Sequence, residues 1–153
     1  MNLTAEARFK LDIMTKFINL DFTQEMLEGG EKFVAGQIRQ NIRTGTDVEG
    51  NPFIDLKPET VEYKKSKGYN QPNKPLVATG MLRDDSIGAT VITTNVVKIA
   101  VLNTLRKRIA EYHQYGDGSL PKRAFFGIAQ KDEDRVKRQV LLVMIKKIDR
   151  LTR

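Results

Sequence analysis

The chain contains no cysteine. That absence excludes a disulfide scaffold, a thiol nucleophile, a cysteine zinc site and an iron–sulfur centre. It also fits a reducing compartment. There is no tryptophan, and His113 is the only histidine. Ser66, Ser86 and Ser119 are the only serines, and none sits in a Gly-x-Ser-x-Gly turn. A hydrolytic triad needs a base, a group that orients it and a nucleophile within reach. His113, next to Tyr112 and near Tyr115, therefore reads as a packing or hydrogen-bonding residue.

Long apolar runs are missing too. The longest is Val140 to Ile145, six residues, where a membrane span needs about 20. No membrane contact is expected. Glu6, Arg8, Lys10, Asp12 and Lys16 punctuate the first twenty residues, so no secretory signal is expected there. Neither phosphate-cradling glycine motif is present. Asp47, Glu49 and Asn51 alternate like the opening of a calcium loop, but Pro58 stands where the closing glutamate belongs. Asp84-Asp85 is the only adjacent acid pair outside an expected helix, and no further acids converge on it at a recognisable spacing. It reads as a turn or cap beside Ser86. These gaps predict a protein with no metal, no cofactor and no catalysed reaction.

What is present is charge, unevenly placed. Residues 1–80 hold 11 Lys/Arg and 11 Asp/Glu, whereas residues 81–153 hold 15 and 8, so the whole net charge of +7 lies in the second half. Such a surface suits an anionic partner, either nucleic acid or an acidic protein ring. Arg106, Lys107, Arg108 and Lys122 are the candidate anion contacts. Aromatic residues do not interleave with the basic ones, so sequence-specific nucleic-acid binding is not expected.

A length of 153 residues suggests one domain, with residues 1–20 as a candidate arm carrying Phe9, Ile13, Phe17 and Leu20 at helical spacing. A helix is predicted from about Phe22 to Ile42, with Asp21 as its N-cap and an apolar stripe of Met26, Leu27, Phe33, Val34, Ile38 and Ile42. Gly29-Gly30 in its middle predicts either a bend or the close passage of another backbone. Residues 44–57 read as loop, Pro58 opens a short helix to about Lys67, and residues 68–75 read as a long flexible or extended connection. Residues 86–102 predict a hairpin turning at Thr93-Thr94-Asn95. Residues 105–115 predict a helix, Arg123 to Ile128 a third strand, and Asp132 to Leu151 a last helix with Val136, Val140, Val143, Met144 and Ile148 on one face. The order of elements predicts an α+β fold: a small antiparallel sheet with long N-terminal and C-terminal helices packed on it.

Three segments in order carry a resemblance. The first is Gly50-Asn51-Pro52-Phe53-Ile54-Asp55-Leu56-Lys57, followed by Thr60 and Lys64-Lys65. The second is Pro75-Leu76-Val77-Ala78-Thr79-Gly80-Met81-Leu82-Arg83-Asp84-Asp85-Ser86-Ile87. The third is Tyr112-His113-Gln114-Tyr115-Gly116, then Leu120-Pro121-Lys122-Arg123-Ala124-Phe125-Phe126-Gly127-Ile128. Together they resemble the Mu-type virion morphogenesis, or tail completion, family of tailed phages. One departure is Phe53, where the family often carries tryptophan.

The resemblance implies a virion structural protein of the neck or tail. It would be made in the host bacterial cytoplasm and would complete the tail and join it to the head. It implies a homo-oligomer, a hexameric ring, meeting neighbouring neck, tail terminator or connector proteins, with non-specific contact to channel DNA. On this reading Phe53, Leu82, His113, Gln114, Arg123, Phe125 and Phe126 belong to an interface. The alternative is a non-specific DNA-binding accessory protein of a phage or prophage.

Overall fold

The structure is a computed structural model that describes residues 21–151. The candidate arm at residues 1–20 lies outside the described residues. The predicted first helix is one continuous rod in three pieces: α1 (Thr23–Gly29), a π-helical segment (Gly30–Ala35) and α2 (Gly36–Thr44). After it come α3 (Pro58–Ser66), α4 (Met81–Asp84), β1 (Ile87–Thr93), β2 (Val96–Val101), α5 (Thr104–Tyr115) and α6 (Gln130–Leu151). The architecture is α+β. The two strands form an antiparallel hairpin, with Ile87 opposite Val101 and Ala89 opposite Ile99.

The rod lies between the hairpin and α6, and the two glycines make this possible. A Cβ on Gly29 would sit 3.2–3.4 Å from the side chain and Cα of Val140 on α6, and one on Gly30 would sit 3.0 Å from Ile99 Cδ1 on β2. Adjacent helical positions point about 100° apart, so one glycine admits each neighbour. The anticipated close approach occurs, and it falls where the π-helical segment begins. Insertions of this kind tend to recur at functional or strained places in helices. Here the turn sits at the most crowded crossing.

The start of the rod is tied to the tip of the hairpin. Asn95, at φ 58°, accepts from Phe22 N at 2.6 Å, and its own amide donates to Thr23 Oγ1 at 2.9 Å. Asp21 was expected to be the N-cap, but that position belongs to Phe22. The Asp21 carboxylate accepts from Thr23 N at 2.8 Å, and the Thr23 hydroxyl and amide hold its carboxyl below the usual range. The core contains Phe22, Ile38, Ile42 and Phe125, together with Val136, Val140 and Met144 spaced at fours along α6.

Two sequence expectations fail. Arg123 to Ile128 is not a strand; it has no ladder partner, and the chain bends at Phe126-Gly127. The outer edge of β1 is covered by side chains: Glu31 Oε2 accepts from Ala89 N, and Arg39 donates to Ile87 O. Side-chain amides stand in for the missing strand. Gln114 Oε1 accepts from Phe126 N at 3.0 Å while Gln114 Nε2 donates to Phe126 O at 3.2 Å, and Asn41 Nδ2 donates to Phe125 O at 3.0 Å. Buried backbone groups need partners, and here sequence-distant polar residues supply them.

The connection at residues 68–75 is not a free linker either. Lys64, only 7% exposed, donates from Nζ to the carbonyls of Gln71, Lys74 and Val77 at 3.2, 2.6 and 2.5 Å. Burial pushes its ammonium pKa down. An ammonium has three donors, and all three are used to fold the connection onto α3. Lys64→Met is expected to lower unfolding free energy by about 2–4 kcal/mol, because bonds to a charged donor are lost and carbonyls are left unpaired. Denaturant titration checks the magnitude. Amide exchange at residues 71–77 should accelerate more than exchange in the hairpin.

Candidate docking groove and its polar floor

Asn103 caps α5 by accepting from Arg106 N at 3.1 Å. Its helical spacing turns Ile109 and His113 toward two loops, residues 54–57 and residues 76–82. Between these parts, α3 and residues 119–123 lies an open groove of about 700 Å³. Its rim is apolar and solvent-facing: Ile54 is 61% exposed, Leu120 41%, Met81 40% and Ile109 39%. Gly80 shapes one wall at φ +84° as the N-cap of α4, a backbone angle that favours glycine. An added Cβ there would lie 2.8 Å from Asp84 Oδ2. The chain bends at Thr79-Gly80 before α4 begins.

The floor is polar and buried. Arg123 is 3% exposed. Its Nε and Nη2 both donate to Ile54 O, at 3.2 and 3.0 Å, and its backbone N donates to His113 O at 2.6 Å. Its Nη1 lies 3.4 Å from His113 Nδ1. A guanidinium can only donate, so Nδ1 must be the acceptor and the imidazole carries its proton on Nε2. Burial, and after it the neighbouring Arg123 charge, push the His113 pKa down to about 4. Burial also lowers the Arg123 pKa. The imidazole thus faces a cation rather than the carboxylate that would orient a catalytic base.

This arrangement has a pH consequence. An unfolded histidine takes up its proton near pH 6.5, while the folded His113 does so only near pH 4. Unfolding therefore binds a proton between these values. The stability involved is complete above pH 6.5 and is lost as the pH falls toward 4, to a total of about 3 kcal/mol. Urea midpoints at pH 7 and pH 4.5 should differ more in the parent chain than in His113→Asn. Equal pH dependence in both would refute the assignment.

The residues expected at an interface separate into groups. Phe53, Leu82, Phe125 and Phe126 pack inside the chain, with the rings of Phe125 and Phe126 edge to face at 6.2 Å. Phe53 thus keeps the apolar anchoring expected of that position. His113 and Arg123 are groove floor, and Gln114 braces the segment behind it. The basic run is divided as well. Arg106 turns to the groove and donates to Met81 Sδ at 3.1 Å. Arg108 donates to Tyr112 Oη at 2.6 Å and stacks on the same ring. Lys107 is half-buried and Lys122 exposed.

The acidic candidates have structural occupations. Asp84 takes a two-pronged bond from Arg83 at 2.6 and 2.7 Å. Asp47 accepts from the amides of Glu49 and Asn51 and from the Asn51 side chain, bracing the loop after α2. Sequence reasoning missed the rim residues Ile54, Met81, Ile109 and Leu120, which no apolar periodicity singles out. It also missed Lys64 as a buried group, since a lysine pair in a polar helix signals solvent.

Fold and groove together describe a small α+β domain with a substantial open apolar surface. Among the described residues no helix is long and apolar enough to cross a membrane. A sequence model of the phage virion morphogenesis family matches residues 12–144. The chain belongs to that family. No curated protein and no solved structure matched it.

Proposed function

We propose that this chain is a structural protein of the phage neck or tail, one that completes the tail and joins it to the head by forming a ring, without catalysing a reaction. The observation that carries this reading is the apolar groove on a member of a virion morphogenesis family. Clustered exposed apolar side chains mark places where proteins meet, and Ile54, Met81, Ile109 and Leu120 form such a cluster around a rigid floor. A ring needs each copy to present two different, complementary surfaces to its siblings, and joining that ring to an adjoining component needs a further exposed surface, which the groove suits. The net charge of +7 suits an acidic neighbouring ring or DNA in the channel.

Electron microscopy of particles lacking this protein tests the reading. Separate full heads and finished tails are expected. Joined, infectious particles would overturn it. The DNA-accessory alternative makes a different forecast: the isolated chain would bind duplex DNA with steep salt dependence, and the missing protein would leave head–tail joining intact.

A further inference from the structure

The groove combines an apolar rim with cations that lack counterions. Among the described residues, neither Lys64 nor Arg123 forms an ion pair, although they are only 7% and 3% exposed. Each is held by backbone carbonyls, as described above. Among the described residues Arg106 at the rim has no acidic partner either; its side chain meets Met81 Sδ and its backbone amide meets Asn103. The charged lining residues are Lys57, Lys64, Arg106 and Arg123 against Asp55 and Glu59, four against two, so the groove carries +2. Buried charges are usually paired, because an uncompensated one is costly to desolvate. Covering this groove with a purely apolar partner would remove the remaining water from Arg123 and Arg106 and return nothing electrostatic.

We infer that the groove receives an apolar segment bearing a carboxylate, contributed by a neighbouring virion protein. The aliphatic residues of that segment would seat on Ile54, Met81, Ile109 and Leu120. Its Asp or Glu would reach the Arg106 side of the floor, where a guanidinium can bind a carboxylate with two parallel bonds. This rests on the assembly reading above and adds the chemistry of the partner at that site.

The test uses assembled particles. A photo-crosslinking amino acid at position 120 or position 54 would be activated in mature virions, and the joined peptide sequenced by mass spectrometry. The expected product is a peptide from another virion protein with an acidic residue among apolar ones. Arg106→Glu should lower particle joining at least tenfold, and changing the identified acid to lysine should restore it. Arg108→Glu, on the same helix but held by Tyr112, should join normally, and circular dichroism would confirm that both variants fold.

A crosslinked peptide without an acid would overturn the inference, as would one from residues 1–20 or from another part of a second copy. So would the absence of any crosslink, or normal joining by Arg106→Glu. These failures differ from failure of the assembly reading. If particles join without the protein altogether, the assembly role itself falls. If they need the protein but tolerate Arg106→Glu, only the groove's ligand is wrong.

Discussion

Arg123→Ala is expected to lower unfolding free energy by about 3–5 kcal/mol, and Arg123→Met by less than half of that. Two effects add in the alanine variant. The buried side chain leaves a cavity, which in large-to-small replacements costs about 2–5 kcal/mol depending on how far the site collapses. The Ile54 carbonyl, now accepting from both Nε and Nη2, also loses its partners in a partly buried place, at up to about 1–3 kcal/mol.

Methionine fills most of the volume and removes a buried charge that has no counterion, a change that can recover stability. The comparison therefore separates packing from polar pairing. Arg123→Lys is the third arm. It keeps the charge but replaces the planar fork with a point donor, so it should fall between the other two. Guanidinium chloride titrations would decide. Equal losses for alanine and methionine would mean that the hydrogen bonds to Ile54, rather than the space filled, dominate at this position.

The second large effect concerns Gly29. Gly29→Leu should cost more than about 3 kcal/mol. The Cβ alone meets Val140, including its backbone Cα, at 3.2–3.4 Å, and three more heavy atoms would force α1 and α6 apart. Overpacking of a tight core costs about 1–3 kcal/mol and occasionally more, while leaving glycine returns only about 1 kcal/mol of helix propensity. Gly30→Ala should be milder, because its neighbour is the far end of the Ile99 side chain at 3.0 Å, which can rotate.

Gly36 provides the control. A Cβ there meets only Glu31 O at 3.9 Å, so Gly36→Ala should stabilise the chain by up to about 1 kcal/mol. Thermal melts of the three variants would give the order Gly36→Ala, Gly30→Ala, Gly29→Leu from most to least stable. Any stabilisation by Gly29→Leu would contradict the packing of the rod against α6.

Residue pattern alone determined several features of this protein. Apolar spacing and local punctuation located the long rod, the Pro58 helix, the Asn95 turn and the Val136–Val140–Met144 stripe, because these depend on neighbours within a few positions. The same local reading marked Gly29-Gly30 as a bend or a crossing and carried the family resemblance across residues 50–130.

Only the tertiary structure decided what happens between distant segments. Whether Lys64 points to water or to three carbonyls depends on where residues 71–77 fold back. Whether residues 123–128 become a strand depends on whether they meet an edge to pair with, and the side chains of Gln114 and Asn41 take up the backbone of Phe126 and Phe125 instead. The groove depends on several distant segments meeting, each of which in isolation shows only scattered apolar residues. Hydrogen-bond partners and burial are properties of that meeting, and they turned an expected surface constellation at His113 and Arg123 into the polar floor of an open groove.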